Sequence, residues 1–189
     1  MAFERIWHKQ YPPGVPAALD FEKITLPDIL ARTAERFPEQ TALLYMGKAI
    51  TYRELDMLVS RFARALMDIG VKKGDRVGML LPNIPQIVIA NYATYRIGAI
   101  TAMNNPLYTE KELTHQLNDS GTTVLIALDL LAPLALKLKE KTALRTIISC
   151  HINDYLPFPK KQLFPLVKKD MYRKTAPGED LLEFKDLIK

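Results

Sequence analysis

Gly74-Asp75-Arg76-Val77-Gly78-Met79-Leu80-Leu81-Pro82-Asn83 opens the stretch that decides the fold. An amphipathic run follows and closes at Gly98; then comes Ala99-Ile100-Thr101-Ala102-Met103-Asn104-Asn105-Pro106-Leu107-Tyr108-Thr109. Two unbroken apolar runs, separated by a Pro-Asn step and a helical pattern, describe one βαβ unit. Neither run alternates with polar residues, so both belong in a parallel sheet covered on two faces. A crossover of this length brings the chain back parallel to its start, with right-handed connection.

Working outward, the same unit recurs. Thr122-Thr123-Val124-Leu125-Ile126-Ala127 reads as a third buried strand, and Thr146-Ile147-Ile148-Ser149-Cys150 as a fourth. A helix joins them from about Leu130 to Lys141, with Pro133 confined to its first turn. Thr109-Glu110-Lys111-Glu112 is a capping box, in which hydroxyl and carboxylate each satisfy a backbone donor that the helix leaves unpaired. Its helix runs past Leu113 and Leu117 to stop at Asp119-Ser120-Gly121. No sequence self-similarity accompanies this recurrence, so the chain is not a repeat protein.

Upstream, Thr51-Tyr52-Arg53-Glu54 is a second capping box, opening a helix that buries Leu55, Leu58, Val59, Phe62, Leu66 and Ile69 and stops at Gly70. Before it, Thr41–Met46 and Ala49–Thr51 flank Gly47-Lys48 as a hairpin. Thr25 caps a helix with Pro27 and Asp28 in its first turn and Leu26, Ile29, Leu30, Thr33 and Phe37 on one face; Pro38 ends it. The three prolines of Tyr11-Pro12-Pro13-Gly14-Val15-Pro16 make the first segment an extended arm over the body. Residues 1–24 are therefore the arm, 25–150 the α/β subdomain, and 151–189 a basic connector rich in proline and aromatic residues. The fold class is α/β: a largely parallel sheet of βα units flanked by helices, with the arm and a small hairpin.

Composition narrows the function classes. The net charge of +5 is concentrated in residues 151–176, where Lys160, Lys161, Lys168, Lys169, Arg173 and Lys174 face only Asp154 and Asp170. A nucleic-acid interface would spread its charge over a folded face with motif support, so no nucleic-acid partner is expected. Instead, the Lys160–Lys174 tail is the place for peripheral contact with an anionic membrane, or else a solvated connector. One cysteine, Cys150, excludes an internal disulfide and suits a reducing compartment. No run approaches the roughly 20 apolar residues that span a bilayer, and Met1–Gln10 has no apolar signal core. The expected location is cytoplasmic, with the inner membrane face open to the tail.

No catalytic, cofactor-binding or metal-ligating residue is assigned. Ser120-Gly121-Thr122-Thr123 has the letters of a phosphate loop, but Val124-Leu125-Ile126 follows at once and no lysine stands nearby. It reads as a helix stop leading into a strand. His8, His115 and His151 are scattered and take surface or packing roles, and Cys150 is a buried, inert thiol. Asn83 and Asn104-Asn105 follow strands, where parallel sheets bind ligands; Asn83 reads as the N-cap of the Ile84–Ile97 helix and Asn104-Asn105-Pro106 as a turn.

Taken together, Trp7 with Tyr11–Pro16, Thr51-Tyr52-Arg53-Glu54-Leu55, Gly74-Asp75-Arg76-Val77, Leu81-Pro82-Asn83, Asn105-Pro106-Leu107-Tyr108-Thr109 and the Glu112–Gly121 segment resemble a known pattern. It is similar to the N-terminal part of an AMP-forming acyl-CoA synthetase, within the long-chain fatty acid–CoA ligase branch. The resemblance runs from Trp7 to about Ser149 with little gap, and more loosely to the end of the chain. It implies ATP, magnesium and coenzyme A as cofactors of the full-length enzyme, a fatty acid substrate, and an acyl-adenylate intermediate. The family's Ser/Thr/Gly-rich loop ending Pro-Lys-Gly, its Tyr-x-x-Thr-Glu motif and its C-terminal catalytic lysine are not in this chain. The resemblance thus implies an N-terminal fragment that is inactive alone and that self-associates through apolar surface or a strand edge left open. The alternatives are a non-catalytic α/β module binding acyl chains or a protein, and an adenylating relative acting on aromatic or amino acids.

Overall fold

The computed structural model describes residues 5–176, Gly178 and 181–189. Expectations for Met1–Glu4, Pro177, Glu179 and Asp180 lie outside the described residues. A 3₁₀ turn at Ile6–Gln10 leads into irregular backbone up to Ile24, and Ile6, Trp7, Leu19 and Phe21 are exposed along it. Helix α1 (Leu26–Arg36) opens with a Thr25–Asp28 capping box. Of its apolar stripe only Leu30 is buried, while Leu26, Ile29 and Phe37 stay open.

Strands β1 (Thr41–Tyr45) and β2 (Lys48–Thr51) form an antiparallel hairpin. Its turn is Met46-Gly47, one residue earlier than the Gly47-Lys48 reading. Both turn residues have positive φ, 48° and 94°, which matches the right-handed twist of the flanking strands. Helix α2 (Tyr52–Asp68) then buries Leu55, Val59, Phe62 and Leu66 and ends at Gly70, whose φ is 88°.

The main body alternates β3 (Arg76–Leu80), α3 (Pro85–Arg96), β4 (Ile100–Met103), α4 (Glu110–Ser120), β5 (Val124–Leu128), α5 (Ala132–Lys139) and β6 (Thr146–Cys150). After it come α6 (Lys160–Val167), β7 (Leu181–Glu183) and α7 (Phe184–Leu187). The five strands β3 to β7 make one parallel sheet in the order β4-β3-β5-β6-β7. Progression reverses between β3 and β5, and that is the topological switch point.

Successive residues of each strand serve opposite faces. Val124, Ile126, Leu128, Ile148 and Cys150 pack with α2 and α3, whereas Leu125, Ala127 and Ile147 pack with Leu113, Leu117, Ala135 and Leu138 of α4 and α5. Two covered faces explain why the strands read as continuous apolar runs.

Two readings change. Asn83 is not the N-cap of α3: Ile84 is, at φ −124° and ψ 160°, and no side chain caps the helix. Pro85 drives the residue before it out of the α region, so the helix starts one position later than the polar residue suggests. Nor is the tail only a connector. β7 pairs with β6, and Phe184 of α7 is fully buried with its ring 4.4 Å from Phe62. Burying Leu181 and Phe184 outweighs the weak local propensity of a Pro-rich segment.

Candidate functional site

In an open parallel sheet the crevice for chemistry lies beyond the carboxyl ends of the strands. Beyond β3, Asn83 is exposed and lines a cleft of about 330 Å³ with Ile84, Ile87 and Val88 against Leu43–Tyr45 of the hairpin. Beyond β4, Asn104 is buried and donates to the Ala102 carbonyl at 2.8 Å, while Asn105 Oδ1 accepts from Leu107 N–H at 3.0 Å. Both asparagines shape their own turn, as the sequence suggests.

The ends of β5, β6 and β7 carry a polar cluster. Asp129 follows β5, His151 follows β6, and Glu183 closes β7. Leu128 pairs with Cys150 and Ser149 with Glu183, so register delivers all three side chains to one edge. His151 is 4% exposed; its Nδ1 lies 2.9 Å from Asp129 Oδ2 and its Nε2 lies 3.1 Å from Glu183 Oε2. Tyr172 stacks on the imidazole at 5.0 Å between ring centroids.

Backbone and side chains satisfy the remaining carboxylate oxygens. Asp129 accepts from Leu130 N–H at 2.9 Å and Arg173 N–H at 2.6 Å, and Thr175 donates its hydroxyl to Glu183. Asp154 accepts from His151 N–H at 3.1 Å, and fully buried Gln86 of α3 donates to Asp154 at 3.2 Å and to the His151 carbonyl at 2.8 Å.

Electrostatics decide what this cluster can do. Burial opposes charge on His151, but the hydrogen bond to Asp129 and the charges of Asp129, Glu183 and Asp154 outweigh it, so its pKa rises above 6.5. Both ring nitrogens face carboxylate oxygens, which only accept, so both must donate. An imidazolium held this way has no lone pair for a proton, a carbonyl or a metal. The cluster is a clip between three strand ends rather than an acid–base site. Burial pushes the adjacent Cys150 thiol well above its usual range, and the charges of Asp154, Glu183 and Asp129 add to this. An un-ionised, buried thiol is a poor nucleophile.

The other candidates stay apart. His115 is exposed on α4, and His8 sits in the N-terminal turn beside Trp7 and Tyr11. Among the described residues no group of three His, Cys, Asp or Glu side chains is arranged to hold a metal ion. Ser120-Gly121-Thr122-Thr123 is the C-terminal end of α4, with Gly121 in the left-handed region at φ 64°. The N–H groups of Gly121, Thr122 and Thr123 donate to the carbonyls of Asn118, Leu117 and Arg76, and the Arg76 side chain donates to the Ser120 carbonyl at 2.8 Å. With its donors spent, this loop does not fit a triphosphate.

The basic tail divides. Lys160 and Lys161 begin α6 and Lys168 and Lys169 follow it, all exposed, whereas Tyr172 and the Arg173 backbone turn inward onto His151 and Asp129. The Asp129–His151–Glu183 cluster is the feature that residue-by-residue reading misses. Its one signal in the sequence is positional: a polar residue ends or directly follows each of three apolar runs.

Residues 30–183 match the family described as AMP-binding enzyme. The chain is 41% identical over 169 residues to the long-chain-fatty-acid–CoA ligase of Bacillus subtilis (strain 168), covering 89% of this chain and 30% of that protein. Among solved structures, a long-chain-fatty-acid–CoA ligase from Archaeoglobus fulgidus superposes with a TM-score of 0.67 at 30% identity, over 75% of this chain and 30% of that one. A long-chain-fatty-acid CoA ligase from Rhodopseudomonas palustris CGA009 shares the fold, with a TM-score of 0.70 at 23% identity over 88% of this chain and 36% of that one. The chain therefore spans about 30% of the length of the Bacillus relative. With its doubly covered parallel sheet and a match over most of its length, it belongs to the AMP-binding enzyme family.

Proposed function

We propose that this chain is the N-terminal portion of a long-chain fatty acid–CoA ligase. The whole enzyme joins a fatty acid to ATP, with Mg²⁺, to give acyl-adenylate and pyrophosphate; the coenzyme A thiol then attacks the acyl carbon and AMP leaves. The observation that carries this reading is 41% identity over 169 residues to a ligase of that activity. These residues contribute scaffold: the sheet, its two covered faces, and the clipped carboxyl edge against which the reactive parts of the enzyme assemble. A cytoplasmic location belongs to the same reading.

Two measurements test it. The isolated chain releases no pyrophosphate from ATP in the presence of palmitate. A chimera in which residues 1–189 replace the matching segment of the Bacillus enzyme forms palmitoyl-CoA. Acyl-dependent pyrophosphate release by the isolated chain overturns the scaffold reading. A folded chimera that forms no palmitoyl-CoA counts against the ligase reading.

A further inference from the structure

Residues 172–175 cross the carboxyl ends of three strands without joining the sheet. A 3₁₀ turn at Lys169–Met171 ends just before them, and β7 begins only at Leu181. Among the described residues, Tyr172–Thr175 form no backbone–backbone hydrogen bond to a strand. Their hold is on the polar cluster instead. The Tyr172 ring stacks on His151 at an interplanar angle of 27°. Arg173 N–H donates to Asp129 Oδ2, and the Thr175 hydroxyl donates to Glu183. Met171, Arg173, Lys174 and Ala176 are exposed. The segment is a strap fastened at three points.

All three points run through the imidazole. Asp129 Oδ2 receives both Arg173 N–H and His151 Nδ1, while Glu183 receives Thr175 on Oε1 and His151 Nε2 on Oε2. With both ring nitrogens donating, each carboxylate is held in place and the ring offers a cation to the face of Tyr172. When the proton leaves, one ring nitrogen turns a lone pair toward a carboxylate oxygen, and two acceptors so placed repel. That carboxylate turns away and takes its strap contact with it, and the attraction between cation and tyrosine face is lost as well. The charged groups around the ring are Asp129 after β5, Asp154 after β6 and Glu183 on β7; the neighbouring Cys150 thiol stays un-ionised. Asp154 does not touch the strap: it accepts from His151 N–H and from Gln86, whatever the charge on the ring.

We propose that Tyr172–Thr175 is a strap latched over the carboxyl ends of β5, β6 and β7 by protonated His151, and that loss of this proton releases it and opens the crevice beneath. This goes beyond the ligase reading and does not rest on it. Limited trypsin digestion of the full chain tests it, because Arg173 and Lys174 lie in the strap. Cutting there is measured as a ratio to cutting after Lys23, in the irregular N-terminal segment, which cancels the pH dependence of the protease. The ratio rises about tenfold as pH climbs from 6.5 through the folded value of His151, the loss of one hydrogen bond to a charged group. Tyr172→Phe keeps this step. Tyr172→Ser and Thr175→Val each raise the ratio on the acid side and shrink the step. By reciprocity, both also move the titration of the His151 imidazole, followed by proton NMR and assigned with His151→Gln, to lower pH. A ratio that stays flat or falls with pH overturns the proposal, and so does an imidazole titration that neither variant moves. Cutting after Arg76 in β3 that rises in parallel with the strap means that the whole sheet opens, and overturns it too.

Discussion

His151 Nε2 lies 3.1 Å from Glu183 Oε2, joining the end of β6 to the end of β7 across 32 residues of chain. Glu183 reaches this position only in the register that pairs Ser149 with it. A slip by one residue would turn the carboxylate to the opposite face of the sheet and bring Leu182 to the imidazole. A buried ion cluster is weak as a source of stability, because desolvation consumes much of the attraction. Its effect here is on specificity: it tells a three-residue strand where to stop.

The same cluster makes stability depend on pH. The folded pKa of His151 is raised above 6.5, so the folded chain holds its proton more tightly than the unfolded chain does. The contribution is complete below about 6.5 and is lost as pH climbs through the folded value. Urea unfolding midpoints should therefore fall as pH rises from about 6.5 through the folded value. His151→Gln should lose about 3–5 kcal/mol at pH 6, since two buried carboxylates are left without their cation, and should flatten the profile. A wild-type midpoint that holds steady or rises over that range would show that the imidazole stays neutral in the fold.

Gly78 is the tightest point of the sheet. A Cβ there would stand 2.8 Å from Leu125 Cδ1 and 2.9 Å from Thr122 Cγ2. Both neighbours are fully buried, in β5 and in the turn before it, and have nowhere to retreat. Gly78→Ala should cost about 1–3 kcal/mol through overpacking. Combining it with Leu125→Ala should cost less than the sum of the two single changes, because the shorter side chain admits the new methyl. Strict additivity in chemical denaturation would mean that the strain is relieved elsewhere.

Local chemistry was readable from sequence. The cap at Thr25 and the capping boxes at Thr51 and Thr109 each need only four residues, and the apolar runs of β3, β5 and β6 announce a sheet covered on both faces. Longer-range choices were not. Asn83 looks like a helix cap until Pro85 excludes Ile84 from the α region. Asp129, His151 and Glu183 meet only after the register of three strands is known, and β7 is too short to carry any periodicity. The exposed stripe on α6 is hidden for a related reason. Leu163, Leu166 and Val167 look like core in sequence, and only the burial of Phe164 reveals which way the helix faces.

Strand β4 closes one end of the sheet. Ile100 N–H and Asn104 N–H bond to the carbonyls of Asp75 and Met79 on the β3 side. By the alternation of a parallel ladder, the backbone groups of Thr101 and Met103 point to the open edge. Ile100 and Met103 are 52% and 55% exposed, and the strand Ile-Thr-Ala-Met contains neither the charge nor the proline that usually blunts an edge. The isolated chain should therefore self-associate through β4, its average mass in light scattering rising with concentration. Met103→Lys places an ammonium group on that edge and should return the chain to a monomer without lowering its unfolding midpoint, since the side chain is already in solvent. A wild-type chain that stays monomeric at high concentration would mean that the edge is too short, or too closely flanked by the Asn104–Thr109 loop, to recruit a partner strand.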